Sequence, residues 1–248
     1  MNQILTFSPA ELVAFRQGGA ILRDCLDYVA TLVAPGISTR ELDDAAESFI
    51  RERGGEPAFK GYNGYPATLC TSVNEECVHG IPGKRVLQNG DIISLDCGVR
   101  FGGLNTDACI TVPVGQISAE ASRLLTVTEE ALEILVGMIR EGVRTGDLSH
   151  AVQKHAEENG FKPVHSLTGH GLGPTLHSPP DIPNIGEAGT GPALPAHTVI
   201  AVEPILSAGS DRVVQGKDGW LLTIKDGALS AHFEHTVLVL PDGCDVLA

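Results

Sequence analysis

The chain repeats itself, and that limits the folds open to it. At an offset of 106 residues, Gly36, Thr39, Leu42, Ala45, Glu52 and Gly54 recur as Gly142, Thr145, Leu148, Ala151, Glu158 and Gly160, and Leu26 recurs as Leu132. Both stretches read as a long helix, a turn and a second helix. The first long helix opens at Ser8-Pro9-Ala10-Glu11, which supplies a cap, a proline at the first helical position and a capping-box glutamate. The second opens at Ser38 with Glu41 three residues on, and stops at Gly54. Thr145 and Gly160 start and stop the matching helix in the other half. Shared capping chemistry alone produces part of this agreement. After each helix pair come β-branched residues and turn signals such as Gly83-Lys84, Asn89-Gly90 and Gly102-Gly103. The expectation is one α+β domain over residues 1–248, with pseudo-repeats at about 8–117 and 118–248. A central antiparallel-rich sheet, duplicated about a pseudo-two-fold axis, is expected under helices on one side.

The second constraint is chemical. Asp96 closes the apolar run Ile92-Ile93-Ser94-Leu95, and Glu203 closes Thr198-Val199-Ile200-Ala201-Val202. Glu234 stands just before Thr236-Val237-Leu238-Val239-Leu240. A carboxylate at the end of a buried strand is costly unless something neutralises it. No Lys or Arg lies within two positions of Asp96, Asp107 or Glu203. In the repeat, residues 91–96 align with 197–202, so Glu203 falls one residue from the equivalent of Asp96. Two equivalent strands then each deliver a carboxylate to the centre. Asp96 and Asp107 are eleven residues apart, and Gly98, Gly102 and Gly103 between them predict a hairpin that sets them face to face. His170 is flanked by glycines in Thr168-Gly169-His170-Gly171, which suggests a close approach of backbone to a ligand. Carboxylates with one imidazole suit two hard or borderline divalent ions better than a structural zinc. Taken singly, Asp107 also reads as a turn aspartate and His170 as a loop residue.

Bulk properties exclude several classes. A net charge of −14 argues against a nucleic-acid surface. No apolar run reaches transmembrane length, and the N-terminus lacks a signal-peptide pattern. The six cysteines form no CxxC pair, so reduced thiols and a cytoplasmic location are expected. The string from Gly169 to Gly173 lacks the GxGxxG pattern and the lysine of a phosphate loop, which removes nucleotide binding.

Ser72-Val73-Asn74, His79-Gly80-Ile81-Pro82, the Asp96–Asp107 pair, Thr168-Gly169-His170-Gly171, Val202-Glu203-Pro204 and Phe233-Glu234-His235-Thr236 together resemble type I methionine aminopeptidases. The resemblance runs from about residue 8 to 240. It implies the pita-bread fold and removal of N-terminal methionine from peptides and nascent proteins by dinuclear-metal hydrolysis. It implies two divalent ions (Co, Mn, Fe or Zn), bridged by Asp107 and Glu234. Asp96 would complete one ion's shell, and His170 with Glu203 the other's. It implies Glu203 as proton shuttle, His177 as oxyanion partner, and His79 on the substrate backbone. Tyr62, Tyr65, Cys70 and Trp220 would form the methionine pocket, where sulfur meets aromatic rings. Leu176, Phe59 and Asn63 depart from the family's phenylalanine, cysteine and histidine and reshape the pocket rim. A monovalent cation is implied near Asn74, Glu76 and Ser230. Members of this family act on nascent chains near the ribosome, where Lys154 and Lys162 offer the candidate basic patch, and a monomer is expected. Two rivals remain. One is a proline-directed aminopeptidase or prolidase of the same fold, against which residues 74–82 and Trp220 weigh. The other is a non-catalytic interaction module, which would not need all five ligands.

Overall fold

The computed structural model describes residues 3–248. Helices α1 (Pro9–Leu32) and α2 (Thr39–Glu52) are followed by strands β1 (Glu56–Pro57), β2 (Leu69–Val73), β3 (Glu76–Val78), β4 (Ile92–Phe101) and β5 (Leu104–Pro113). Helices α3 (Ala119–Met138) and α4 (Thr145–Glu158) then precede β6 (Lys162–Pro163), β7 (Thr168–Gly171), β8 (Ser178–Pro183), β9 (Val199–Val202) and β10 (Ile205–Ser207). The chain ends with β11 (Val213–Gln215), β12 (Leu222–Ile224), β13 (Ser230–His232), β14 (His235–Leu240) and β15 (Gly243–Val246).

The caps form as the sequence predicts. Ser8 and Ser38 each accept from the backbone N–H three residues on, and Glu11 and Glu41 reach back to the cap backbone. The stops at Gly54 and Gly160 share a φ of 79°, and Gly36 and Gly142 lie at 102° and 84°. Those left-handed values favour glycine.

Each half carries its own core. In the first, Leu22, Leu26 and Val29 of α1 and Leu42 and Ile50 of α2 pack on Ile93, Leu95 and Val99 of β4. In the second, Leu124, Leu132 and Leu135 of α3 and Leu148 and Val152 of α4 pack on Ile200, Val202 and Val237. A third cluster, with Phe7, Phe15, Tyr65, Cys70, Leu172, Leu176 and Leu238, bridges them.

The expected single sheet is resolved into four, with every strand pair among the described residues antiparallel. The two largest are β1-β4-β2 with β5 on β4, and β15-β14-β9-β7-β8. They meet through a bridge between Cys109 and Glu234, where each residue donates its N–H to the other's carbonyl, at 3.3 and 2.9 Å. Beside it, the Asp107 N–H donates to Thr236 Oγ1 at 2.8 Å, and that hydroxyl donates back to the Asp107 carbonyl at 2.6 Å. The seam between the halves is therefore where Asp107 and Glu234 stand.

Candidate metal centre and substrate pocket

The β4–β5 hairpin forms, with its turn at Gly102 and Gly103 (φ 58° and 84°). Its register places Asp107 opposite Gly98 and Asp96 opposite Cys109. The two aspartates are diagonal neighbours on one face, not directly opposed as expected, because the two-residue turn sets that offset. Glu203 follows the last residue of β9, and Glu234 precedes the first of β14, whose neighbour His235 pairs with Val202. His170 lies in β7, opposite Ala201.

The glycines beside His170 have a different purpose from the one the sequence suggests. A Cβ at Gly169 would lie 2.5 Å from the Ala201 carbonyl oxygen, and one at Gly171 would lie 2.2 Å from that of Pro179. They admit the neighbouring strands, not a ligand. That packing fixes His170 between β9 and β8.

A cavity of about 370 Å³ holds the expected residues together. Asp96, Asp107, His170, Glu203 and Glu234 line it, with His79, His177, Tyr62, Tyr65, Cys70 and Trp220. Phe59, Asn63 and Leu176 line it too. Donor atoms of Asp107, His170 and Glu234 lie within 4.8 Å of one another. His170 Nε2 is 3.8 Å from Asp107 Oδ2 and 3.7 Å from Glu203 Oε1. Asn74, Glu76 and Ser230 lie outside the cavity lining, with the Ser230 N–H donating to the Asn74 carbonyl at 2.9 Å.

Electrostatics make this cluster costly as it stands. Burial, followed by the charges of Glu234, Asp96 and Glu203, pushes the Asp107 carboxyl well above the usual range. Burial, then Glu234 and Asp96, does the same to Glu203. No Lys or Arg makes an ion pair with any of the four among the described residues. Asp96 Oδ1, Asp107 Oδ1 and Glu234 Oε1 are buried without a hydrogen-bond partner. Unsatisfied carboxylate oxygens are rare in interiors and call for a cation. Burial first, then His177, lowers His170 to about 3, so its ring is neutral. Its Nδ1 stands 3.1 Å from the Gly171 carbonyl, which assigns the proton to Nδ1 and leaves the Nε2 lone pair aimed at the carboxylates. The donor set fits divalent cations of hard or borderline character.

The rest of the cavity is a binding wall. Tyr65 donates its hydroxyl to the carbonyls of Leu69 and Gly80, at 2.9 and 3.0 Å, and Trp220 packs edge-on against it at 5.1 Å. Tyr62 and His177 are joined at the mouth by a 3.0 Å hydrogen bond between the hydroxyl and Nδ1. His79 is held at φ 62°, a strained setting for a non-glycine residue. Gly80 makes that turn possible, since a Cβ there would lie 2.1 Å from the Thr71 carbonyl oxygen. Burial, then His232 and His177, lowers His79 to about 4.

The cavity lining also includes residues that the sequence does not single out. Ser166, Leu167 and Thr168 border the cavity, and His232 stands among the carboxylates. For His232 a signal existed: it sits two positions before Glu234, and strand alternation puts such residues on one face.

Comparison with known proteins agrees with this geometry. Residues 13–241 match the model of "Metallopeptidase family M24". The chain is 44% identical over 237 residues to a methionine aminopeptidase of Clostridium perfringens, covering 96% of this chain and 95% of that one. It is 44% identical over 244 residues to methionine aminopeptidase 1 of Bacillus subtilis, covering 98% of each. The crystal structure of a methionine aminopeptidase from Thermotoga maritima superposes with a TM-score of 0.98 at 39% identity, covering 99% of both chains. A prolidase from Pyrococcus furiosus shares the fold at a TM-score of 0.80 and 20% identity, with 98% of this chain and 64% of that one covered. The matched length and these identities leave one assignment: the chain belongs to metallopeptidase family M24.

Proposed function

We propose that this protein is a methionine aminopeptidase that removes the N-terminal methionine from peptides and nascent chains. The observation that carries the reading is that one cavity joins a cation-deficient carboxylate cluster to an apolar aromatic wall. The relatives at 44% identity carry that activity in their names, whereas likeness to prolidases stops at the fold.

Asp96, Asp107, His170, Glu203 and Glu234 would hold two divalent ions. When bound, the ions supply the positive charge that lowers the pKa of water and draws electron density from the scissile carbonyl. Co, Mn, Fe and Zn all suit this donor set. Glu203 takes the water proton and returns it to the leaving amine. At the cavity mouth, His177 is steadied by Tyr62 and donates to the developing oxyanion. His79 contacts the peptide backbone. Tyr65, Cys70 and Trp220 surround the methionine side chain, and the thioether gains about 1 kcal/mol from the rings. Phe59, Asn63 and Leu176 set the shape of the rim.

Residues 1–248 act as a single catalytic unit on this reading, as a monomer in the cytoplasm. A monovalent cation near Asn74, Glu76 and Ser230 would brace the loop that carries His79. A ribosome contact would run through Lys154 and Lys162, where Lys154 already faces Glu158 at 3.9 Å. Co-sedimentation with ribosomes at low salt tests that contact, and its absence removes it.

The deciding experiment compares Met-Ala-Ser with Ala-Pro-Ala, using metal-reconstituted protein and its Glu203→Gln variant. Release of methionine alone, lost in the variant, is expected. Cleavage before proline would reassign the protein to the proline-directed branch. No cleavage of either peptide, with two metals bound, would make it an interaction module.

A further inference from the structure

One imidazole at the carboxylate cluster has no assigned task. His232 ends β13, and its side chain is 4% exposed. Its Nε2 lies 3.4 Å from Glu234 Oε2 and 3.8 Å from Glu203 Oε2, and has no hydrogen-bond partner. Its backbone is pinned. The His232 N–H donates to Thr111 Oγ1 at 3.0 Å, and its carbonyl accepts from that hydroxyl at 2.7 Å. These bonds hold the His232 backbone beside the cluster, and burial leaves its ring little room to turn away.

Glu203 is placed between two histidines. Its Oε1 faces His170 Nε2 at 3.7 Å, while its Oε2 faces His232 Nε2 at 3.8 Å. The His170 proton lies on Nδ1, so the Nε2 of that ring offers a lone pair. His232 requires the opposite tautomer. With cations in the site its carboxylates are ionised and only accept, so a lone pair on Nε2 would face only acceptors. The proton therefore sits on Nε2, aimed at the carboxylates. Both gaps exceed a formed hydrogen bond, and contacts of this kind tighten when the site is loaded.

We propose that His232 is a positioning residue, whose Nε2–H holds Oε2 of Glu203 and so reserves Oε1 for the cation side next to His170. It gives the two oxygens of one carboxylate separate tasks, binding and proton transfer. The inference rests on the assignment of Glu203 as proton shuttle, and it deepens that reading.

The test strips the wild-type protein and the variants His232→Ala, His232→Leu and His232→Gln with a chelator. Each is titrated with Co(II), with affinity and visible absorption recorded, and then assayed for kcat and KM on Met-Ala-Ser. The alanine and leucine variants are expected to bind Co(II) about 10–100-fold more weakly, with band positions kept. Their kcat should fall much more than KM rises. Glutamine presents an amide N–H and should recover most of the affinity and of kcat. If alanine prevents folding, leucine fills the space without a donor and carries the same comparison. Unchanged affinity, spectrum and kcat in the donor-free variants would overturn the proposal. So would the loss of a Co(II) band in all three variants, which would make His232 a direct ligand. Affinity and spectrum are read without peptide, so they stand even if the wild type releases no methionine, a result that would sink the function reading instead.

Discussion

Thr236→Val asks whether the seam between the halves is held by one hydroxyl. Thr236 is fully buried, and its Oγ1 serves both the N–H and the carbonyl of Asp107, 129 residues away. Valine removes both bonds and leaves two buried backbone groups unsatisfied, at roughly 1–3 kcal/mol each. The added methyl returns about 1 kcal/mol through burial. The expected net loss is about 3 kcal/mol. It would be read from the urea midpoint of the metal-free protein at constant m. Thr236→Ser keeps the hydroxyl and loses only a methyl, so it should cost about 1 kcal/mol. Divalent-metal affinity should fall in the valine variant and stay near wild type in the serine variant, because Asp107 and Glu234 flank this link from opposite strands. A valine variant less than about 0.5 kcal/mol below wild type, or a serine variant equal to valine, would refute the argument.

Two further outcomes follow from the cavity. Trp220→Ala removes the edge contact to Tyr65 and opens the apolar wall, so KM for Met-Ala-Ser should rise about tenfold, near 1.4 kcal/mol, with Co(II) affinity unchanged. A matching loss of metal affinity would show that the tryptophan supports the whole cavity instead. His79 is lowered from 6.5 to about 4, so the unfolded chain binds its proton first as pH falls. The metal-free protein should therefore keep full stability from this group above pH 6.5 and lose about 3 kcal/mol between pH 6.5 and 4, with no further change below. His79→Asn, which tolerates the left-handed backbone, should flatten that slope in urea titrations. An identical slope in the variant would assign the proton uptake elsewhere.

What was legible in the sequence was local or periodic. Ser8, Ser38 and the glycines at 54 and 160 encode the helix ends within a few residues, and the structure keeps those ends. Asp96, Glu203 and Glu234 stood out because an acid at the end of an apolar run contradicts its surroundings, and all three line the cavity. The Asp96–Asp107 register differs from the face-to-face expectation, because the turn at Gly102 and Gly103, not the count of intervening residues, sets which pairs oppose. The division into four sheets and the Thr236–Asp107 link depend on contacts between distant parts of the chain, to which local propensity is blind. His232 was hidden differently. A lone histidine in a short strand looks like a core residue; its spacing from Glu234 is a weak sign, and its distances to Glu234 and Glu203 show where it points.

The bridge between Cys109 and Glu234 also supplies a clock. Each amide hydrogen of that pair is protected only while the two largest sheets are apposed, so its exchange with deuterium counts the openings of the seam. Ions held by Asp107 and Glu234 would bind the closed arrangement alone, and linkage then slows both amides together as metal is added. The amides of Arg51 and Glu52, in the exposed last turn of α2, exchange by local fraying and should keep their pace. Exchange at two residues would thus report, without substrate or dye, how tightly the halves are clasped.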